Sequence, residues 1–387
     1  MSNSKRILCV QEPVIPIVGQ LISENPGTIS LGQGIVHYSA PQEVFTELKK
    51  DIDCLDINKY YSVGGITPLV ELLKDKLSKE NDIRLKTGVN DVLVSAGANM
   101  AFFNTILTFT DPGDEIILLS PYYFNYEMAV KIIGCKPVIV PTDRAWQPNL
   151  DFIKAKITAK TKAVVTISPN NPTGAVYTEA VLRKINTLCK ENNLYHISDE
   201  AYEYFTYDGC KHFSPGSIAD SEKHTISIYS LSKAYGMAGW RIGYVVLPDH
   251  LANSYNKVQD TDLICPPVIS QYAAINALKV GVGYCKGYLR EVEEIRNMFI
   301  DRLKLFSSKI SYVVPEGAIY FLLKINTDMS AFNLTEKLIK NHKVAVIPGL
   351  TFGLDDGCYI RIGFAALHKD SFEEGLGRLL NGIDKLV

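Results

Sequence analysis

The residues best suited to chemistry follow short β-branched runs. Ser230-Leu231-Ser232-Lys233 comes directly after such a run, and Tyr235-Gly236-Met237-Ala238-Gly239-Trp240-Arg241 follows. A lysine at the carboxyl end of a strand can act as a covalent amine nucleophile. The hydroxyls and the Arg241 guanidinium beside it can cradle a phosphate. Asp199 ends another run, and a carboxylate there can hold a heteroaromatic nitrogen protonated. Tyr202, three residues on, can face the same ligand. Ser168-Pro169-Asn170-Asn171-Pro172-Thr173-Gly174 is a proline-stiffened turn that can present the Asn171 amide to a ligand oxygen. Ser95-Ala96-Gly97-Ala98-Asn99 reads as a small-residue turn opening a helix, whose backbone N–H groups suit a phosphate. Taken singly these features have ordinary readings: a solvated loop lysine, an N-capping aspartate, a simple turn, a common glycine corner.

The elements that must position them are legible as a rhythm. Apolar runs at 92–95, 115–120, 137–140, 163–167, 194–199, 225–229 and 242–247 alternate with helix-like stretches such as 101–110, 125–133 and 179–191. Continuous apolar strands spaced by helices predict an α/β fold with a mostly parallel seven-stranded sheet sandwiched by helices. Ligands of such sheets gather at the carboxyl ends of the strands. After residue 285 the pattern changes to a long charged helix over 284–305. Shorter strands at 318–324, 344–347 and 358–362 follow, with helices near 334–340 and 371–380. The expected organisation is an N-terminal arm contributing to a small domain (1–45), a large domain (46–285) and a small α+β domain (286–387).

Composition narrows the function classes. The 387 residues carry 40 Lys plus Arg against 42 Asp plus Glu, a formal net charge of −2, which argues against nucleic acid or an anionic membrane as partner. With 47% hydrophobic and 21% charged residues the chain reads as globular. No apolar run reaches a membrane-spanning length, and Gln11-Glu12-Pro13 interrupts the short run that could begin a secretory signal. The eight cysteines (Cys9, Cys54, Cys135, Cys189, Cys210, Cys265, Cys285 and Cys358) show no Cys-x-x-Cys pair. No metal site is expected, and reduced thiols in a cytoplasmic protein are.

In combination the motifs resemble the class I aminotransferases, fold-type I pyridoxal-phosphate enzymes, over roughly residues 31–364. The resemblance is carried by Tyr60 with Gly65, Gly97, Pro121-Tyr122-Tyr123, Asn171-Pro172-Thr173-Gly174, Asp199 with Tyr202, Ser230 to Lys233, Gly239-Trp240-Arg241, Pro315 with Gly317, Pro348-Gly349 and Arg361. Ser168 departs from it, standing where the family usually has asparagine. The resemblance implies pyridoxal 5'-phosphate as cofactor, with 46–285 as the domain that binds it. It implies that Lys233 bonds to the cofactor and moves the substrate proton, and that Asp199 keeps the pyridine nitrogen protonated. Asn171 and Tyr202 would bond the ring oxygen, and Tyr123 would stack on the ring. Ala98, Asn99, Ser230, Ser232 and Arg241 would hold the phosphate. Tyr60 would reach the neighbouring subunit's phosphate, making a homodimer with shared active sites. Arg361 and Gly34 would receive the substrate carboxylate.

The substrates implied are an L-amino acid and a 2-oxo acid, in a ping-pong reaction. Bacterial-type aspartate aminotransferases place a lysine where this chain has Asn99, and another subgroup uses an arginine near the segment 257–262, which here has none. A distal carboxylate without a cation would be costly, so aromatic or neutral amino acids rank above aspartate. Tyr38 and Tyr123 would line an aromatic pocket, as in the plant-type aromatic and methionine enzymes. His37 either touches the substrate side chain or is a loop histidine. Aspartate transfer remains the first alternative. Carbon–sulfur lyases and aminocyclopropane carboxylate synthases share nearly every motif.

Overall fold

The computed structural model describes residues 3–53 and 55–387; of the cysteines, Cys54 lies outside them. Thirteen strands among the described residues run in chain order as β1 Ile29–Ser30, β2 Asn90–Ser95, β3 Glu115–Ser120, β4 Lys136–Pro141, β5 Thr161–Ile167, β6 Tyr195–Asp199, β7 Thr225–Ser230, β8 Gly243–Pro248, β9 Ile310–Tyr312, β10 Tyr320–Ile325, β11 Val344–Ala345, β12 Ile347–Pro348 and β13 Cys358–Gly363.

The seven-stranded sheet has the order β2-β8-β7-β6-β5-β3-β4. Neighbours pair in parallel except β8, which is antiparallel to both β2 and β7. Each of the seven apolar runs is one of its strands. β3 and β5 are apolar on both faces because helices cover both. β4, with Pro137 and Pro141, sits at an edge, where missing N–H donors leave no ladder gap. The helix Glu179–Glu191 shows why the local sequence folds as it does. Thr178 caps it by accepting from the Val181 N–H, Glu179 and Lys190 complement its dipole, and Leu182, Ile185 and Cys189 form the buried stripe.

A four-stranded sheet, β12-β13-β10-β9, is antiparallel throughout, and β1 pairs in parallel with β11. The N-terminal segment thus shares structure with residues more than three hundred positions away. The expected single strand over 344–347 is two strands: β11 joins β1, and the chain changes sheets at Val346 before β12 joins β13. The helix expected near 334–340 runs Ala331–His342, because Ser330 caps it by accepting from the Asn333 N–H. The N-terminal arm contains a helix, Val14–Ser23, that no periodic signal announced. Pro16 stands in its first turn, where its absent N–H costs nothing.

Five buried cysteines, Cys135, Cys189, Cys265, Cys285 and Cys358, are free thiols, Cys9 is exposed and Cys210 is half-buried. No described helix is long and apolar enough to cross a membrane.

Candidate active site

The sheet's direction gathers the site. β2, β3, β5, β6 and β7 all end at one edge, which therefore carries Ser95, Ser120, Ile167, Asp199 and Ser230. Because β8 alone is reversed, its start lies at that same edge: Gly243 is paired with both Ser95 and Ser230. Arg241, two residues before β8, is thereby set beside the helix Ala98–Phe109 that follows β2. Gly97 has φ +87°, and a Cβ there would lie 2.6 Å from Arg241 Nη2, so only glycine fits between turn and guanidinium.

These elements enclose a cavity of about 140 Å3 lined by Ala98, Asn99, Tyr123, Ile167, Asn171, Asp199, Ala201, Tyr202, Ser230, Ser232, Lys233, Ala238 and Arg241. At one end the N-terminal turn of the helix Ala98–Phe109, the Ser230 and Ser232 hydroxyls and Arg241 form an anion cradle. At the other end lies Asp199, buried and bonded by the Tyr126 hydroxyl at Oδ2 (2.6 Å) and the Ala201 N–H at Oδ1 (3.0 Å). Burial pushes its carboxyl up to about 6 in spite of those two donors. A buried carboxylate and an anion cradle lining one cavity suit a group that carries both a cationic and an anionic part. That is the charge pattern of a protonated pyridine carrying a phosphate, so the residues fit pyridoxal phosphate.

Lys233 sits between this cavity and a second one. Its ammonium is held near 8, first by burial, then by the Arg361 and Arg241 charges, against the pull of Asp199. Its Nζ donates to the Gly34 carbonyl.

The second cavity, about 350 Å3, shares Tyr123, Asn171, Tyr202 and Lys233 with the first. Arg361, at the middle of β13, is 3% exposed; Nη1 donates to Asn171 Oδ1 (3.0 Å), Nη2 to the Gly32 carbonyl (2.8 Å), and Nε is buried without a partner. Its plane lies over the rings of Tyr320 (4.4 Å) and Phe352 (4.9 Å). Nε, and the second N–H of each Nη, are donors that a carboxylate could accept from. Asn171 is aimed at it because Asn170 ties the turn, accepting from both the N–H and the hydroxyl of Thr173. Gly34 lines this cavity, and a Cβ there would lie 2.6 Å from the Tyr320 hydroxyl. Ser168, in place of asparagine, is buried and accepts from the Tyr177 N–H, so its role here is to hold the loop.

One expected substrate-lining residue lies elsewhere. Tyr38 does not line either cavity: its ring stacks on Tyr288 at 4.1 Å and its hydroxyl donates to the Lys233 carbonyl (2.9 Å), so it supports the lysine from behind. Its aromatic partner in the expected pocket, Tyr123, does line both. Tyr60 is 78% exposed and outside both cavities of its own chain. His37 lies outside them too.

Other residues of the site escaped the sequence reading. Tyr126 is one helical turn past Tyr123, a spacing that shares a face and could have flagged it. The Tyr320 hydroxyl bonds that of Tyr202 at 2.7 Å, a contact that depends on the β10–β13 register and has no local signal. The helix Val14–Ser23 contributes Ile15, Val18, Gly19 and Ile22 to the second cavity.

A profile of the family described as aminotransferase class I and II matches residues 26–379, and the chain belongs to that family. An aromatic aminotransferase of Arabidopsis thaliana is 32% identical over 393 residues, covering 99% of this chain and 97% of its own. A probable aspartate/prephenate aminotransferase of Aquifex aeolicus is 37% identical over 345 residues, covering 85% and 84%. A solved structure, a double mutant of the Thermus thermophilus aspartate aminotransferase, superposes with a TM-score of 0.90 at 29% identity, covering 99% of this chain and 100% of that one. The chain is a pyridoxal-phosphate-dependent aminotransferase, acting on amino acids and 2-oxo acids.

Proposed function

We propose that this aminotransferase takes aromatic or neutral L-amino acids as donors, in a ping-pong exchange with a 2-oxo acid. The observation that carries the preference is the lining of the second cavity. It is walled by Ile15, Val18, Ile22, Ile35, Phe124 and Ile347, and Lys233 and Arg361 are the only cations among its lining residues. If Arg361 takes the α-carboxylate, a distal carboxylate would meet apolar side chains with no second cation, at a cost of several kcal/mol.

Each residue's part follows from its position. The cradle of Ala98, Asn99, Ser230, Ser232 and Arg241 would hold the phosphate of pyridoxal phosphate, and Asp199 would pair with its ring nitrogen. When bound, the cofactor supplies an electron sink for the charge left on the substrate α-carbon. Lys233, held near 8 and so partly neutral at mildly alkaline pH, would bond the cofactor at rest and then carry the proton leaving the α-carbon on its Nζ. Tyr123 would cover one face of the ring, while Asn171 and Tyr202 would donate to its phenolic oxygen. The Arg361 fork would fix the carboxylate, with Gly34 close by, and so direct the Cα–H bond toward Lys233.

The functional unit we propose is a homodimer of a large domain (46–285) and a small domain (286–387, with 1–45), in which the exposed Tyr60 completes the neighbour's phosphate cradle. A cytoplasmic setting fits the buried free thiols.

Half-reaction rates, read as bleaching of the visible cofactor band, test the preference. Phenylalanine, tyrosine or methionine should bleach it faster than aspartate, and a 2-oxo acid should restore it. Aspartate reacting fastest would overturn the preference, and ammonia with pyruvate as products would indicate a lyase. Lys233→Ala should lose the band of the lysine-bound cofactor; retention of that band would overturn its assignment.

A further inference from the structure

Away from the active-site cavities, three residues far apart in sequence converge. His37 follows the Gly34 segment, Glu291 lies in the helix Gly283–Lys304, and His368 directly precedes the helix Lys369–Leu386. His37 Nε2 is 3.2 Å from Glu291 Oε2, His368 Nδ1 is 3.7 Å from Glu291 Oε1, and all three ligand atoms lie within 4.8 Å of one another. We propose that His37, Glu291 and His368 form a binding site for a divalent transition-metal ion of the Zn2+ class.

Two of the three separations, 3.2 Å for His37–Glu291 and 3.7 Å for His368–Glu291, are close to what that ion needs. Bonds of about 2.0–2.2 Å in tetrahedral array put neighbouring ligand atoms about 3.3 Å apart. Two imidazoles and one carboxylate select borderline metals over Mg2+ or Ca2+, which take oxygen ligands. The decisive feature is His37. Its side chain is 2% exposed, the ring is packed edge-on against Tyr288, and its backbone N–H donates to the Ala365 carbonyl. Nδ1 lies 3.3 Å from that same carbonyl, which orients the ring from behind; with the proton on Nδ1, Nε2 would present its lone pair to an ion. That Nε2 is buried, makes no aligned hydrogen bond, and has the Glu291 carboxylate 3.2 Å away. A histidine oriented from behind by a carbonyl is the usual support of a metal ligand. His368, 75% exposed, and Glu291, 37% exposed, leave the outer side open for the ion to enter and for water as a fourth ligand. A bound ion would clasp the Gly34 segment to two C-terminal helices.

The test uses the holoenzyme stripped of metal with a chelator, then titrated with Zn2+ against a chromophoric chelator. Roughly one Zn2+ should bind per chain, with a rise in unfolding temperature on loading. Glu291→Gln and His368→Ala, both on the open side, should each weaken binding at least about tenfold. Circular dichroism and transamination without added metal check that both variants are folded. No binding by the wild type, or Zn2+ bound equally by the wild type and both variants, would overturn the site, the second result moving the ion to another ligand such as the exposed Cys9.

Discussion

Replacing Tyr126 with phenylalanine removes one oxygen from the floor of the cofactor cavity and leaves its packing in place. The ring stacks on Phe102 with centroids 3.7 Å apart and planes 15° from parallel, and phenylalanine keeps that contact. What is lost is the 2.6 Å bond to Asp199 Oδ2, after which the carboxylate retains the Ala201 N–H at Oδ1. A hydrogen bond to a buried charge contributes about 1.5–3 kcal/mol. At 1.36 kcal/mol per pKa unit, its removal lifts the Asp199 carboxyl by roughly 1–2 units above the value near 6 to which burial has already pushed it. The charged form is the one that would hold a protonated ring nitrogen, so cofactor affinity should fall roughly 10- to 100-fold below about pH 6, shrinking to roughly 2- to 10-fold at pH 7. The acid limb of kcat/KM for an amino donor should move to higher pH by the same 1–2 units. Cofactor retention is read from the visible band after dialysis, and the limb from rates between about pH 5 and 9 with cofactor in excess. Unchanged affinity and an unmoved acid limb would refute the reasoning. So would a loss of activity that is the same at every pH, since that result makes Tyr126 a packing residue only.

Three other perturbations test the rest of the site. In the apoenzyme, the Asp199 carboxyl stands near 6 against an ordinary 3.8, so the folded state holds its proton more tightly than the unfolded chain. That contribution to stability is present at low pH and lost as pH rises from about 4 to about 6, by about 3 kcal/mol. Denaturant unfolding of the wild type and Asp199→Asn across this range should therefore differ in slope, and coincident slopes would refute the burial argument. Gly97→Ala forces a side chain onto φ +87°, ψ 166°, a region essentially restricted to glycine, so denaturant unfolding should show a stability loss of about 1–3 kcal/mol, and an unchanged stability would refute the argument. Arg361→Lys exchanges a fork for a point charge, and KM for the amino donor should rise at least about tenfold, with a smaller change in kcat, in steady-state assays.

What could be read in the chain and what could not divide along physical lines. The strands of the large sheet are legible because burial on both faces imposes continuous apolar runs, as in β3 and β5. Most of the cavity lining is legible because parallel strands end together, so residues following such runs must converge. Arg241 is the instructive case. Its motif placed it near Lys233 in sequence, but its approach to Gly97 depends on the reversal of β8, which nothing in the run 242–247 announces. Tyr38 shows the opposite failure. An aromatic four residues after Gly34 suits a substrate wall, yet the structure spends its hydroxyl on the Lys233 carbonyl and its ring on Tyr288, a helix residue 250 positions later. The helix Val14–Ser23 was invisible because Pro16 and Gly19 break the usual helical pattern, although both are tolerated where they stand. The absence of clustered cysteines spoke only to thiolate metal sites. His37, Glu291 and His368 have no spacing to read, since three separate elements bring them together. Local pattern therefore reports residues whose neighbours come from the same strand end, while residues recruited across β10–β13 or from the terminal arms become visible only through the register that joins them.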